Sequence, residues 1–210
     1  MIQIFQFEKS YGGRLALQVP ALALSKGVYW IRGANGSGKS TLLKALAGLL
    51  DFKGRIVLDE TLDLKKQPVG YRRLVNFAEA EPVFPEFLTG RELINLFAAA
   101  KQAPAGQETP LLESIGLQQD LERPVGAYSS GMIKKLSLVL AFLGRPEWVL
   151  LDEPLITMDV AALTVLNAWI RNGHAAGINF LLSSHQPLET AALPALKTLL
   201  VADGTVKLAA

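Results

Sequence analysis

Apolar and polar side chains alternate along Ile2–Phe7, along Arg14–Val19, and again along Arg55–Leu58 just after Gly54. A repeat of two residues predicts strands with one buried face, and their closeness in sequence predicts antiparallel pairing. Gly27–Ile31, and Leu74–Ala78 apart from Asn76, are instead apolar and read as buried strands. From Gly90 the period lengthens. Gly90–Phe97 begins an amphipathic helix, Thr109–Ile115 predicts a second, and Pro104 and Gly106 punctuate the gap. A third helix is predicted from Ser129 or Ser130 to Gly144, where Pro146 forbids continuation. The remainder alternates strand and helix: Trp148–Leu151, Val160–Arg171, Ile178–Leu182, Pro187–Leu193, Thr198–Val201 and Thr205–Leu208. Such alternation implies an α/β fold, a mixed or parallel sheet covered by helices. No shift in composition marks a linker, so residues 1–210 read as one domain with N-terminal antiparallel strands and a helical insertion at about 85–145.

Composition narrows the classes of function. Half the residues are hydrophobic and 19% are charged, a balance that points to apolar partner surfaces. The formal net charge of +2, without a basic block, gives no electrostatic footprint for nucleic acid, and none is expected as a partner. Without cysteine there is neither a disulfide nor a thiolate metal site, which fits a reducing compartment. Met1–Glu8 has no basic start or small-residue cleavage site and reads as a strand, not a signal peptide. The apolar run Leu136–Leu143 falls far short of the ~20 residues that span a bilayer. Work at a membrane would therefore require another chain to cross it. With the sequence ending just after Thr205–Leu208, no appended regulatory domain is expected.

One segment between the apolar strand Gly27–Ile31 and a helix predicted over Thr41–Leu49 carries chemistry. Gly33-Ala34-Asn35-Gly36-Ser37-Gly38-Lys39-Ser40-Thr41 matches Gly-x-x-x-x-Gly-Lys-Ser/Thr. Small residues let backbone N–H groups wrap a phosphate, and the helix N-terminus adds partial positive charge. Lys39 would reach the β- and γ-phosphates, and the Ser40 hydroxyl would ligate Mg²⁺. Further on, the strand Trp148–Leu151 runs into Asp152, Glu153 and Pro154. The carboxyl ends of parallel strands face the ligand crevice. Asp152 is then expected near the metal and Glu153 near the γ-phosphate, where a carboxylate can polarise water. Acidic pairs after strands also serve as helix caps; the phosphate loop upstream favours chemistry. Tyr128-Ser129-Ser130-Gly131-Met132 opens the third helix. Its Ser129 suits an ordinary N-cap, or the segment is a second anion site.

In content and in order these segments resemble the ATP-binding cassette family, the nucleotide-hydrolysing subunits of ABC transporters, over nearly the whole chain. The resemblance implies ATP and Mg²⁺ as cofactors and Glu153 as the catalytic base. It implies an adenine-stacking role for Tyr11, otherwise an ordinary strand-end aromatic, and a γ-phosphate contact for His185, which follows Ser183 and Ser184. His174, beside Gly173, has no such implied role. The resemblance further implies that two copies pack head to tail, with each ATP between the phosphate loop of one and Ser129, Ser130 and Gly131 of the other. A homodimer joined to an ABC-type membrane permease at the cytoplasmic face of the membrane is then the expected assembly. Tyr128 and Met132 stand where the family has Leu and Gln, and Ser130 replaces a glycine, a form similar to the cassettes of ABC-2-type exporters. Where the family places a Mg²⁺-touching glutamine, the best register puts Glu79, with Glu81 two residues on. Asp159 matches the loop that reaches the opposite site, whereas Thr157 and Met158 depart from its usual small residues. Three alternatives remain: a cassette ATPase serving soluble partners in cofactor assembly or repair, a nucleotide-binding module without turnover, and, weakest, an unrelated phosphate-loop kinase.

Overall fold

Two sheets divide the strands according to how completely each is buried. The computed structural model describes residues 1–184, Leu193 and residues 196–209. β1 (Ile2–Tyr11) and β2 (Arg14–Leu24) form an antiparallel hairpin over Gly12 and Gly13, both with positive φ, as such a turn requires. These strands run further than the alternating stretches Ile2–Phe7 and Arg14–Val19 suggest, because hairpin pairing continues where the alternation fades. β3 (Val28–Arg32) leads through the phosphate-loop segment into α1 (Lys39–Leu46). β4 (Lys53–Leu58) and β5 (Leu62–Asp63) complete a four-stranded sheet in the order β2-β1-β4-β5.

The chain then passes through α2 (Pro68–Leu74) into β6 (Val75–Ala78). α2 was not legible in the sequence: at seven residues it is too short to display a period, although Pro68 at its start is a helix-opening signal. α3 (Gly90–Lys101), α4 (Glu108–Ile115) and α5 (Ser130–Ala141) fall inside the expected helical segment. Thr89 opens α3 through a capping box, its Oγ1 accepting from Glu92 N at 3.1 Å while Glu92 Oε2 accepts from Thr89 N at 2.8 Å. β7 (Trp148–Leu151), α6 (Val160–Ala175), β8 (Asn179–Ser183), β9 (Leu196–Ala202) and β10 (Thr205–Leu208) follow. Apart from Leu193, the helix expected over Pro187–Leu193 lies outside the described residues. No helix among the described residues is long and apolar enough to cross a membrane.

The second sheet has the order β10-β9-β3-β8-β7-β6, parallel throughout except for β10, which pairs antiparallel at the edge. Every residue of β7 and β8 is buried, as expected for strands covered on both faces. Their side chains divide alternately between two cores. Trp148, Leu150 and Leu181 face Ile4, Phe7 and Leu42, beneath α1 and the antiparallel sheet. Val149, Leu151, Phe180 and Leu182 face Leu136, Val139 and Leu166, beneath α5 and α6. Each such side chain contributes about 1.5–3 kcal/mol by leaving water.

Asn76 ties the helices to the parallel sheet. It is buried in β6, and its Nδ2 donates to the Ala141 and Leu143 carbonyls, each at 2.8 Å, where α5 ends and its carbonyls lack helical partners. Asn76→Ala should leave both acceptors dry and cost about 2–3 kcal/mol. Urea unfolding followed by circular dichroism measures this; a loss below about 0.5 kcal/mol would mean water replaces the amide.

Candidate active site

Residues 33–38 turn the end of β3 into the start of α1. Ser37 N–H donates to the Ala34 carbonyl at 3.1 Å, and Gly36 and Gly38 adopt φ of 76° and 107°, a region that penalises any Cβ. Because the loop ends in that conformation at Gly38, α1 begins at Lys39, two residues before the expected Thr41. No side chain caps the helix, so its first-turn N–H groups remain available to an anion. Gly33 is required for a different reason. An added Cβ would run into the Val201 carbonyl and stand 2.5 Å from Ser37 Oγ.

Lys39 is 6% exposed, and its ammonium folds back to donate to the carbonyls of Gly33 (2.9 Å) and Ala34 (3.2 Å). It also lies 4.0 Å from Glu153 Oε1, with both side chains largely withdrawn from water. Asn35, Gly36, Ser37, Gly38, Lys39, Ser40 and Thr41 line a cavity of about 900 Å³, with Tyr11 and Glu153 on its walls. The Tyr11 hydroxyl is 3.4 Å from Thr41 Oγ1, and its ring remains half exposed. Gly33, Ala34 and Asp152 are not part of the lining.

Asp152 follows β7 and is buried, the Ser183 hydroxyl donating to its Oδ1 at 2.6 Å. The same hydroxyl accepts from Glu153 N–H at 2.9 Å. Asp152 Oδ2 and Ser37 Oγ are buried with no hydrogen-bond partner among the described residues. Glu153 occupies the left-handed region at φ 43°, which strains a residue with a side chain.

Lys134 was missed in the sequence. Almost fully buried in α5, its Nζ donates to the carbonyls of Glu79 (2.9 Å), Ala80 (3.0 Å) and Asp152 (3.1 Å). Burial pushes this ammonium down to about 8, despite the opposing pull of Asp152 and Glu153. Its helical spacing with the apolar Leu138 and Ala141 was the available signal. Arg14, Leu15, Asp203 and Gly204 also line the cavity unexpectedly. A Gln18 N–H to Gly204 carbonyl bond at 2.7 Å brings the β9–β10 turn beside the start of β2, a juxtaposition remote in sequence.

Glu79 and Glu81 part company after β6. The Glu79 carboxylate pairs with Lys44 on α1 and borders a separate, apolar groove, whereas Ala80 and Glu81 line the phosphate-loop cavity. β6 ends at Ala78 and the chain bends at Ala80–Glu81, which turns the two carboxylates toward different cavities. Ser129 is the N-cap of α5, its Oγ accepting from Met132 N at 3.2 Å, and Ser130 beside it is exposed. Gly131 packs near the Thr157 carbonyl. Ser129, Ser130 and Gly131 are all absent from the cavity lining. Asp159 caps α6 through Ala162 N at 2.7 Å and pairs with Lys135 at 3.1 Å. His185 lies outside the described residues.

The family model described as "ABC transporter" matches residues 20–156. A lantibiotic transport ATP-binding protein, SrtF of Streptococcus pyogenes, is 28% identical over 88% of this chain and 80% of its own. The cytochrome c biogenesis ATP-binding export protein CcmA of Legionella pneumophila is 30% identical over 90% of this chain and 94% of its own. A solved ATP-binding subunit of an ABC transporter superposes with a TM-score of 0.88 at 28% identity, covering 99% of this chain and 88% of that one.

Gly33→Ala should distort the loop and weaken binding of a fluorescent ATP analogue at least roughly tenfold, since the displaced amides lose their aim. Titration at constant far-ultraviolet circular dichroism tests this, and wild-type affinity would show that the loop absorbs the methyl group.

Proposed function

The chain belongs to the ABC transporter family, and we propose that it binds and hydrolyses ATP with Mg²⁺ to energise a separate membrane permease. The observation carrying this reading is the cavity walled by the phosphate loop, with Lys39 and Glu153 meeting at 4.0 Å inside it. Loop amides and Lys39 take the phosphates, and Tyr11 stacks on adenine. Glu153 orients and deprotonates the attacking water, while His185 contacts the γ-phosphate. We assign residues 1–210 to one cassette domain with a helical subdomain at about 85–145.

The residues present fit a divalent cation. Asp152 Oδ2 is buried and has no partner among the described residues, an expense that a nearby cation would relieve. Asp152, directly or through water, and the Ser40 hydroxyl would hold Mg²⁺, which supplies charge neutralisation between phosphate oxygens. The loop after β6 offers a further carboxylate, Glu79 in the expected register or Glu81, which lines the cavity. Among the described residues no three acidic or histidine side chains cluster, so phosphate and water would complete the shell.

Two features support the assembly. Ser129, Ser130 and Gly131 are outside the lining of the chain's own cavity, which suits donation to a second copy and a homodimer closed around two ATP molecules. An apolar groove of about 230 Å³ runs along Leu49, Phe77, Val83, Phe84 and Phe97, with Val83 89% exposed. Such a groove suits an apolar helix of the permease, and docking there would hold the chain at the cytoplasmic face of the membrane. Export agrees with the Tyr128–Met132 form and with the export protein among the relatives.

Glu153→Gln should bind ATP with near-wild-type affinity, lose roughly 10²- to 10⁴-fold in turnover, and accumulate as a dimer with ATP. Phosphate release and light scattering read the outcomes. Normal turnover would remove the base assignment, and a monomer at saturating ATP would remove the composite site.

A further inference from the structure

The peptide unit joining Asp152 to Glu153 is held at both ends. Its carbonyl oxygen accepts from Lys134 Nζ at 3.1 Å, and its N–H donates to Ser183 Oγ at 2.9 Å. Ser183 is itself oriented, because its own proton goes to Asp152 Oδ1 at 2.6 Å. Rotation of this peptide would break both bonds at once. Its orientation is coupled to the Glu153 φ of 43°, a conformation from which a side chain ordinarily relaxes. Lys134 is 1% exposed, and its three donors are matched by three carbonyls.

We propose that Lys134, acting with Ser183, is a positioning residue that clamps the Asp152–Glu153 peptide and thereby holds the Glu153 carboxylate at the phosphate cavity. The proposal rests on the reading of Glu153 as the base. Lys134 touches no reacting atom; it works through the backbone of its neighbour. Its other two bonds hold the Glu79 and Ala80 carbonyls, so the β6 loop and the catalytic strand end are fastened by one ammonium. That loop carries Glu79 at the apolar groove and Glu81 at the cavity. A displacement of the groove wall would therefore be felt at Glu153 through a single side chain.

The test is a double-mutant cycle in the full chain, with ATP turnover, KM and binding of a fluorescent ATP analogue measured together. Lys134→Met preserves most of the aliphatic bulk and removes the donors. It should lower kcat roughly 10- to 100-fold, the scale of a misplaced catalytic group, while leaving KM within about threefold. In a Glu153→Gln background it should change the residual rate by less than about twofold, because the group it positions is already disabled. A general structural defect would instead lower both backgrounds by the same factor and would overturn the proposal, as would wild-type turnover by Lys134→Met. If Lys134→Met does not fold, Lys134→Gln is judged by the same criteria, with a smaller loss expected because its amide still donates. Normal turnover by Glu153→Gln would instead remove the base assignment and the clamp with it. Loss in Glu153→Gln but not in Lys134→Met would remove the clamp alone.

Discussion

Two ammonium groups taken out of water at one edge of the parallel sheet govern the arrangement of everything around them. Lys39 and Lys134 are both buried, and both are satisfied chiefly by backbone carbonyls. A buried cation is tolerable only when its donors are matched, so five carbonyls from the phosphate loop, the β6 loop and the end of β7 must converge. Those carbonyls come from the segments whose other atoms face the cavity. The positive charge suits a polyanionic ligand, and the Asp152 carboxylate, with one oxygen unpartnered among the described residues, suits the cation such a ligand brings.

This convergence depends on a sheet stiff enough to aim it. β7 and β8 are buried on both faces and divide their side chains between two cores, so neither can slip without exposing one set. The strand ends therefore hold Asp152, Glu153 and Ser183 in register. β7 pairs directly with β8, with Leu151 opposite Leu182, and this neighbouring registration brings Ser183 to the Asp152–Glu153 peptide. The strained Glu153 backbone is a local cost that the surrounding hydrogen bonds over-determine.

The helical layer is joined to this edge by α5. Its start presents Ser129 and Ser130 outward, its second turn buries Lys134 at the end of β7, and its last carbonyls are held by Asn76 of β6. One helix thus links an exposed serine surface, the interior of the site and the wall of the apolar groove. Lys44 on α1, paired with Glu79, ties the phosphate-loop helix to that same wall.

The phosphate loop, Asp152 and Glu153 were legible because their chemistry is local. Glycines at fixed offsets before a Lys-Ser pair, and carboxylates closing an apolar strand, need no distant partner to be recognised. Most strands were legible for the same reason, through a period of two or an apolar run, whereas the two residues of β5 are too few to show either. α2 was too short to show a period, and α1 began earlier than its apolar pattern suggested because a left-handed glycine set its start. The separate directions of Glu79 and Glu81 were not legible, because a bend after β6, not strand alternation, determines which carboxylate borders the cavity. Lys134, Arg14 and Asp203 acquire their positions only when segments remote in sequence pack together. Local backbone preference and periodicity determined which chemical groups this protein carries; only the packed sheets and helices decided which of them share a cavity, since side-chain direction at a bend and desolvation in a core are properties of the assembled structure.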